Sequence, residues 1–516
     1  MSFMNAVKNT LNEDFNYSVT ENGALGYRTS GKELVDLNFA VSSMRGMSEE
    51  SIYNKFTKAY FEDKMMALRW LFFARDVRGG LGERRLFRAI LKNMAKDDVD
   101  VVKHLAPLVS EYGRYDDLWC LFGTDVDGVI LDIIKKQLTD DIENMADNKP
   151  VSLLAKWLPS VNASSAKTKM DARYICKNLG MTEREYRKTL SSLRSYIDIV
   201  ESKMSAKKWG DIKYETVPSR ANLIYNGAFL RNDEERRREY LSKLEKGETK
   251  INAGTLFPHD IVHKYSSTTG WYGGVGKYDA TLESLWKALP DTVNECGNTI
   301  VVADGSGSMC CNVGGNSRVT ALEVANALAI YFAEHSSGDF KDKYITFSSR
   351  PQLVDFSQCD SLRDKLRVAY SHSECSNTNI EKVFDLILTT AVNGHMKQED
   401  MPKNVLIISD MEFDSCATCG GNGYGLNRPN AKLFKVIKKR FEDAGYQMPR
   451  LVFWNVNSRT GTIPVKENDL GVALVSGFST NVCKMVMSGK TDPYECLVET
   501  LMSDRYDAVE VALKNS

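Results

Sequence analysis

Short apolar runs alternate with amphipathic helical patterns through the C-terminal part of the chain. The runs TIVVAD (299–304), NVLIISD (404–410), RLVFWNV (450–456) and GVALVSG (471–477) have the length and the β-branched content of buried strands. Helical patterns such as VTALEVANALAIYFAEH (319–335) lie between them. Continuously apolar strands that alternate with helices predict a parallel sheet covered by helices on both faces.

Residues from about 50 to 245 instead show one helical pattern after another. In VVKHLAPLVSEYG (101–113), apolar residues recur at helical spacing until a glycine ends the pattern. Repeated helix and short break are typical of stacked helical hairpins, although no strict sequence period is present. We therefore predict an α + α/β protein. An α-helical, HEAT-like repeat module spans residues 1–285, with a loop-rich stretch at 247–280, and a doubly wound, Rossmann-like α/β domain spans residues 290–516.

Composition places the chain among ordinary globular proteins. Of its 516 residues, 43% are hydrophobic and 26% are charged, and the net charge is −1. No stretch approaches 18 uninterrupted apolar residues, and the start MSFMNAVKNTLNEDF lacks the basic and apolar regions of a secretory signal. We therefore expect no membrane partner. The eleven cysteines, an odd number, predict a reduced, cytoplasmic chain.

The first strand of the predicted sheet ends in one carboxylate and two hydroxyls. Asp304 ends the strand, and Ser306 and Ser308 follow it between glycines that let the chain turn tightly. Parallel sheets bind ligands beyond the carboxyl ends of their strands, and this oxygen-rich set suits Mg²⁺. A turn whose serines cap a helix is an alternative that explains the two hydroxyls. No lysine follows the glycines, which argues against a phosphate-binding P-loop.

The D-x-S-x-S sequence resembles the metal-ion-dependent adhesion site (MIDAS) of von Willebrand factor A (vWA) domains. That family also needs a threonine before a later helix and an aspartate that ends the fourth strand, and Thr378 and Asp410 match these positions. The resemblance implies that Asp304, Ser306, Ser308, Thr378 and Asp410 hold Mg²⁺ or another divalent cation. Such sites bind an acidic protein ligand at the open metal position and usually catalyse nothing, so we expect no enzymatic activity.

Four cysteines lie just beyond the first and fourth strands of the predicted sheet. They are Cys310 and Cys311 after the first strand, and Cys416 and Cys419 after the fourth. Because these strands are neighbours in vWA sheets, the resemblance implies that the four thiols could meet above the metal loop. Unconnected reduced thiols are one interpretation. A Zn²⁺ site and a redox-sensitive cluster are the alternatives, although a single C-x-x-C is weak evidence for zinc.

A helical repeat followed by a vWA domain resembles the Ro (TROVE-module) proteins, and more closely the Ro-like proteins of bacteria, viruses and plants that have no assigned activity. The resemblance lies in stretches such as LFFARDVRGGLGERRLF (71–87), GRYDDLW (113–119), LLAKWLPSVNASS (153–165) and KWGDIKYETVPSRAN (208–222). In Ro proteins the repeats close into a ring that binds small structured RNAs and the ends of misfolded RNAs. The resemblance therefore implies a ribonucleoprotein whose partners are small non-coding or misfolded RNAs.

Basic residues of the helical part form a candidate RNA surface. Residues 151–250 carry a net charge of +8, which is the only charge bias of this size along the chain. The candidate RNA-binding residues are Arg75, Arg78, Lys156, Lys167, Lys169, Arg173, Arg187, Lys188, Lys207 and Lys208. A solvated helical surface explains the same charge, and Asp76 and Glu83 make an internal salt-bridge network an alternative around Arg75.

Two functions follow from these patterns. The leading hypothesis is a Ro-like RNA-binding scaffold in which the helical repeats bind structured or single-stranded RNA and the vWA domain holds a divalent metal. The alternative is a metal-dependent protein–protein interaction module that does not bind RNA. No arrangement of residues supports a nuclease or another hydrolase.

Overall fold

The computed structural model describes most of the chain. The described residues are 4, 16–22, 25–267, 274–293, 298–314, 317–373, 378–413, 430–464, 472–483, 485, 490 and 492–514. Cys416 and Cys419 lie outside the described residues, so the predicted four-cysteine cluster has only its first two members in view.

The chain divides into two compact units, each built from two separate segments. One unit combines Met1–Ala67 with Ala253–Met502, and we call it the sheet unit. The other combines Leu68–Asn252 with Ser503–Ser516, and we call it the helical unit. These limits differ from the predicted domains, because the described residues of the N-terminal segment belong to the sheet unit and those of the C-terminal segment belong to the helical unit.

The ten strands of the described residues form one large sheet and two small antiparallel pairs. The pairs are β1 (Tyr17–Val19) with β2 (Leu25–Tyr27), and β3 (Ser266–Ser267) with β4 (Gly274–Val275). The large sheet contains β5 (Thr299–Asp304), β6 (Lys343–Phe347), β7 (Leu353–Asp355), β8 (Asn404–Ser409), β9 (Arg450–Asn455) and β10 (Val472–Ser476).

The order of the strands in the large sheet is β10-β9-β8-β5-β6-β7. Every neighbouring pair is parallel except β6 and β7, which form an antiparallel edge. The sheet is thus mixed, with a parallel centre as the apolar runs predict. Strands after β5 are added first on one side of it (β6 and β7) and then on the other (β8, β9 and β10). The order of the strands therefore reverses between β5 and β8, and the crevice at their carboxyl ends is a topological switch point.

Helices pack against this sheet because their apolar faces match its apolar strands. Those of the sheet unit are Glu33–Phe39, Val41–Met44, Glu49–Glu62, Pro258–Tyr265, Ala280–Lys287, Ala321–His335, Leu362–Ser371, Ile380–Asn393, Asn430–Asp443 and Pro493–Leu501. The helix Ala321–His335 is buried along most of its length and begins at a capping box between Thr320 and Glu323. The helix Ile380–Asn393 shares a core cluster with Val302 and Ile407.

The N-terminal segment joins the sheet unit through main-chain pairing. Tyr27 and Ile463 exchange two hydrogen bonds of 2.8 Å between their backbones, and the Asn455 side chain donates to the Phe39 carbonyl at 2.9 Å. At Gly26 a Cβ would stand 2.4 Å from the Thr462 methyl group. A glycine is therefore required for this close approach of the two backbones.

The helical unit contains only helices and turns among its described residues. Its helices are Arg84–Asp97, Val99–Leu105, Val109–Tyr112, Asp127–Ala146, Leu154–Trp157, Ala166–Asn178, Glu183–Tyr196, Val200–Ser205, Ser219–Asn232, Glu234–Glu245 and Asp507–Lys514. The helix Lys64–Arg75 begins in the sheet unit and ends in this one. None of the described helices is long and apolar enough to cross a membrane.

The predicted helix over residues 101–113 is interrupted. The structure has a helix at Val99–Leu105, a 3₁₀ turn at Ala106–Leu108 and a second short helix at Val109–Tyr112. Pro107 lies in the 3₁₀ turn, where its missing N–H and its ring prevent a continuous α-helix. The apolar spacing that predicted one helix is preserved across the interruption.

Candidate functional site

The carboxylate of Asp304 is buried and held in place from two sides. Asp304 is the last residue of β5 and is 1% exposed. Its Oδ1 accepts a hydrogen bond from the backbone N–H of Ser306 at 2.9 Å, and its Oδ2 accepts one from the Ser409 hydroxyl at 2.6 Å. Since Ser409 ends the neighbouring strand β8, the two strands together fix the orientation of this carboxylate.

The two serine hydroxyls of the D-x-S-x-S loop lie side by side. The Oγ atoms of Ser306 and Ser308 are 3.0 Å apart, and the loop continues into a 3₁₀ turn at Gly307–Cys310. The Ser308 side chain also hydrogen-bonds to Asp410. One chain of contacts therefore connects Asp304, Ser306, Ser308 and Asp410 at the switch point between β5 and β8.

Asp410 follows β8 directly and is fully buried. Its Oδ1 accepts from the backbone N–H of Glu412 at 3.2 Å, and an Nη2 of Arg459 lies 3.4 Å from its Oδ2. Met411 adopts the left-handed conformation, with φ of 62°, which turns the chain sharply just after the aspartate. The turn keeps the carboxylate at the end of its strand.

Both aspartates have raised pKa values. Burial, followed by the charge of Asp410, raises the pKa of Asp304 to about 7. Burial is also the main cause of the raised pKa of Asp410, although the Ser308 hydrogen bond and Arg459 act in the opposite direction. Two buried carboxylates that repel one another favour a bound cation or a proton.

The donor set fits a hard divalent cation. It combines two carboxylates and two hydroxyls, which are the oxygen ligands that Mg²⁺ prefers. A cation bound here would replace the proton that the raised pKa values otherwise favour. Among the described residues no three or more His, Cys, Asp or Glu side chains are grouped to hold a metal, so a cation at Asp304 and Asp410 would also need the serine hydroxyls as ligands.

Thr378 lies at the position where the fifth ligand is predicted. It is 3% exposed and stands two residues before the helix Ile380–Asn393, which begins at its N-cap residue Asn379. Ile380 and Val383 of that helix pack in the same core cluster as Val302 of β5. The location of Thr378 thus agrees with the predicted element, and its role as a ligand remains a prediction.

Arg459 and Glu412 belong to the site and were missed by the sequence reasoning. The Arg459 guanidinium contacts Asp410 and forms an ion pair of 2.7 Å with Glu21. Glu412 accepts from the backbone N–H groups of Arg459 at 2.8 Å and Thr460 at 2.9 Å, and its other oxygen accepts from Glu21 N–H. Glu21, Glu412 and Arg459 are far apart in the sequence and belong to no recognisable motif. Their contacts therefore could not be predicted from the sequence.

The cysteines that follow β5 have different surroundings. Cys310 is half-buried, Cys311 is exposed, and both side chains are reduced thiols. The Cys311 Sγ lies 3.5 Å from an Nη1 of Arg459, beside the aspartate site. The three interpretations of the predicted four-cysteine cluster all stay predictions, because Cys416 and Cys419 are outside the described part of the chain.

The candidate RNA residues fall into two groups. Arg75 is 5% exposed, and its Nε and Nη2 both lie 2.7 Å from Oδ2 of buried Asp117. Asp117 also binds Arg88 at 2.6 Å. Arg75 therefore belongs to an internal salt-bridge network, which was the alternative interpretation. Because its side chain is buried, the prediction that Arg75 binds RNA is wrong.

The other candidates remain at the surface. Arg173 is exposed but pairs with Glu183 at 3.0 Å, whereas Lys156 and Lys169 are half-buried. Among the described residues, six exposed candidates form no ion pair: Arg78, Lys167, Arg187, Lys188, Lys207 and Lys208.

The fold and the site together define a two-unit α and α/β protein with a buried aspartate–serine site at a switch point. Residues 298–511 match a family described as a domain of unknown function (DUF7788), and residues 129–299 match another, also described as a domain of unknown function (DUF2828). The two matches meet close to the predicted domain limit near residues 285–290.

One curated relative extends over nearly the whole chain. It is the uncharacterized protein L728 of Acanthamoeba polyphaga mimivirus, which is 29% identical over 526 residues. The alignment covers 94% of this chain and 87% of that protein. No solved structure matches the chain significantly.

Proposed function

We propose that the protein is a Ro-like RNA-binding scaffold that holds a divalent cation in a vWA-type domain and has no catalytic activity. The observation that carries the RNA half is the set of six exposed cations without an ion-pair partner in the described residues. Unpaired Lys and Arg side chains at a surface attract the phosphate backbone and release its counterions on binding.

The aspartate site supports the metal half of this proposal. Asp304 and Asp410 end neighbouring strands, as the first and fourth strands of a vWA sheet do, and the Ser306 and Ser308 hydroxyls lie between them. The buried carboxylates with raised pKa values favour a cation. A bound Mg²⁺ would offer an open coordination position to an acidic group of a partner.

A gel-shift experiment tests the RNA half. The full-length protein is titrated with a structured hairpin RNA and a 3′-tailed single-stranded RNA across a series of salt concentrations. We expect affinity to fall steeply with salt, because each phosphate contact releases counterions. No binding below ~10 μM at low salt, which is weak even for nonspecific contacts, would contradict RNA binding.

A metal-dependent protein-interaction module is the second candidate, and the geometry of the aspartate site favours it. The two carboxylates lie at the carboxyl ends of β5 and β8, where α/β sheets bind ligands. A pull-down compares wild type with Asp304→Ala, each with and without EDTA. Protein capture that needs both Asp304 and the metal favours this second function, and RNA retained by both variants favours the scaffold.

A further inference from the structure

We infer that a groove in the helical unit binds the sugar–phosphate backbone of single-stranded RNA. The groove has a volume of about 590 Å³ and lies between the helices Glu183–Tyr196 and Val200–Ser205 and the loop at 160–162. This volume is within the range of pockets that hold small ligands, about 300 to 1,000 Å³, and suits a nucleotide unit. The inference rests on the proposed RNA-binding function and gives it a location.

The groove carries excess positive charge. Four cations line it against two carboxylates, and the cations are Arg187, Arg194, Lys203 and Lys208. The Lys203 ammonium is 2.6 Å from Oδ1 of Asp198, so this pair is neutral. The other three cations form no ion pair with any described residue. Asp211 is the second carboxylate of the lining, so the groove keeps a net charge of +2, which attracts an anion.

Arg194 is a fixed charge in the groove wall. Its Nε donates to the Ala155 carbonyl at 2.8 Å, its Nη1 to the Ser160 hydroxyl at 2.8 Å and its Nη2 to the Leu158 carbonyl at 2.7 Å. These bonds hold the guanidinium rigidly but supply no full negative charge. A partly buried cation without a counter-charge is costly, and a phosphate group would compensate it.

The uncharged lining explains which part of RNA the groove recognises. Four serines contribute hydroxyls: Ser160, Ser191, Ser195 and Ser202. Tyr186 is the aromatic residue of the lining, but it is buried and its hydroxyl donates to the Pro159 carbonyl at 3.0 Å. Hydroxyls and cations without an exposed ring bind phosphate and sugar rather than stack on bases. The groove should therefore show little preference for RNA sequence.

Two pairs of exposed cations in the helical unit allow a matched test. Arg187 and Lys208 line the groove, whereas Lys135 and Lys136 are exposed on the helix Asp127–Ala146 and do not line it. The double variants Arg187→Gln/Lys208→Gln and Lys135→Gln/Lys136→Gln remove the same charge. Each is titrated in the full chain with a fluorescent 20-nucleotide single-stranded RNA, and thermal unfolding checks that both fold like wild type.

We expect the groove variant to lose at least about tenfold in RNA affinity, with a salt slope reduced by about 1.4, because each single-strand phosphate contact contributes about 0.7. The control variant should stay within about threefold of wild type. Equal losses in both variants, with wild type still binding RNA, would overturn the groove and leave RNA binding intact. Absence of RNA binding by wild type would instead refute the proposed function itself.

Discussion

The two units differ in how far their buried carboxylates are compensated by nearby cations. In the helical unit, the buried carboxylate of Asp117 is compensated by the guanidinium groups of Arg75 and Arg88. In the sheet unit, Asp304 and Asp410 are equally buried, but the cation near them is Arg459, 3.4 Å from Asp410 and shared with Glu21. Removing one partner of a buried ion pair is costly, whereas buried carboxylates with little compensation are candidates for a ligand site.

The pKa values of the two sheet-unit aspartates reflect their burial. The sheet unit raises the pKa of both aspartates, mainly through burial. A buried carboxylate costs free energy in its ionised state, and the divalent cation of the proposed site would compensate that cost. Four experiments test this difference between the units, and the largest effect is expected for the first.

The substitution Asp304→Asn should reduce the affinity for Mg²⁺ or Mn²⁺ by at least about 1,000-fold. It removes a charged ligand, and even changes to the outer partners of metal ligands cost about 10- to 100-fold. Isothermal titration calorimetry on the full chain measures the effect. Asp360→Asn, which changes an exposed aspartate of the same unit, is the control and should bind the metal like wild type.

The substitution Arg75→Gln should lower the free energy of unfolding by about 3 kcal/mol, because it leaves a buried carboxylate with one partner fewer. Arg187→Gln, at an exposed cation of the same unit, should change stability by less than about 0.5 kcal/mol. Urea unfolding of both variants measures the difference. Equal stability of Arg75→Gln and wild type would refute the structural role assigned to this ion pair.

The metal-free protein should lose stability as pH rises from about 4 to about 7. The pKa of Asp304 is about 7 in the folded chain against its ordinary value of 3.8, so over this interval the folded state holds a proton that the unfolded state releases. The part of this loss that falls between pH 5 and pH 7 should be about 2 to 3 kcal/mol. Urea unfolding in EDTA at pH 5 and pH 7.5 tests it.

Mg²⁺ should reverse this trend, because the cation binds the ionised carboxylates and is displaced by protons. The stabilisation by Mg²⁺ should therefore be larger at pH 7.5 than at pH 5. Equal stabilisation at the two pH values would contradict a metal site at Asp304 and Asp410.

The substitution Ser409→Ala should weaken metal binding by about tenfold, because the hydroxyl orients the Asp304 carboxylate without itself being a predicted ligand. Ser476→Ala provides a matched control, since Ser476 is another buried serine that ends a strand of the same sheet. Calorimetric titration with Mg²⁺ measures the affinity of both variants for the metal. A Ser409→Ala protein that binds Mg²⁺ like wild type would show that this orientation is unimportant.

Much of the sheet unit could be predicted because its signals are local. The apolar runs define the central strands, and the position of Asp304 and Asp410 at strand ends follows from those runs. Thr378 precedes a helix, as the motif requires. The strand ends also determine which residues meet, because parallel neighbours have their carboxyl ends at one edge of the sheet.

Other features depend on contacts between distant parts of the chain. Glu21 and Arg459 are 438 residues apart, and no sequence pattern predicts their ion pair. The sequence also does not show which arginines are buried. Arg75 and Arg78 occur in one basic stretch, but only the Arg75 side chain pairs with a buried carboxylate. The division of each unit into two chain segments also has no sequence signal, because the pairing of Tyr27 with Ile463 leaves no mark on composition.

That pairing has a consequence for synthesis on the ribosome. Phe39 accepts its hydrogen bond from Asn455, which is 416 residues further along the chain. At roughly 5 to 20 residues per second, the N-terminal segment leaves the ribosome about 20 to 80 seconds before this partner is made. During that interval its apolar residues lack the complete sheet, and exposed apolar surface of this kind makes a nascent chain prone to aggregation.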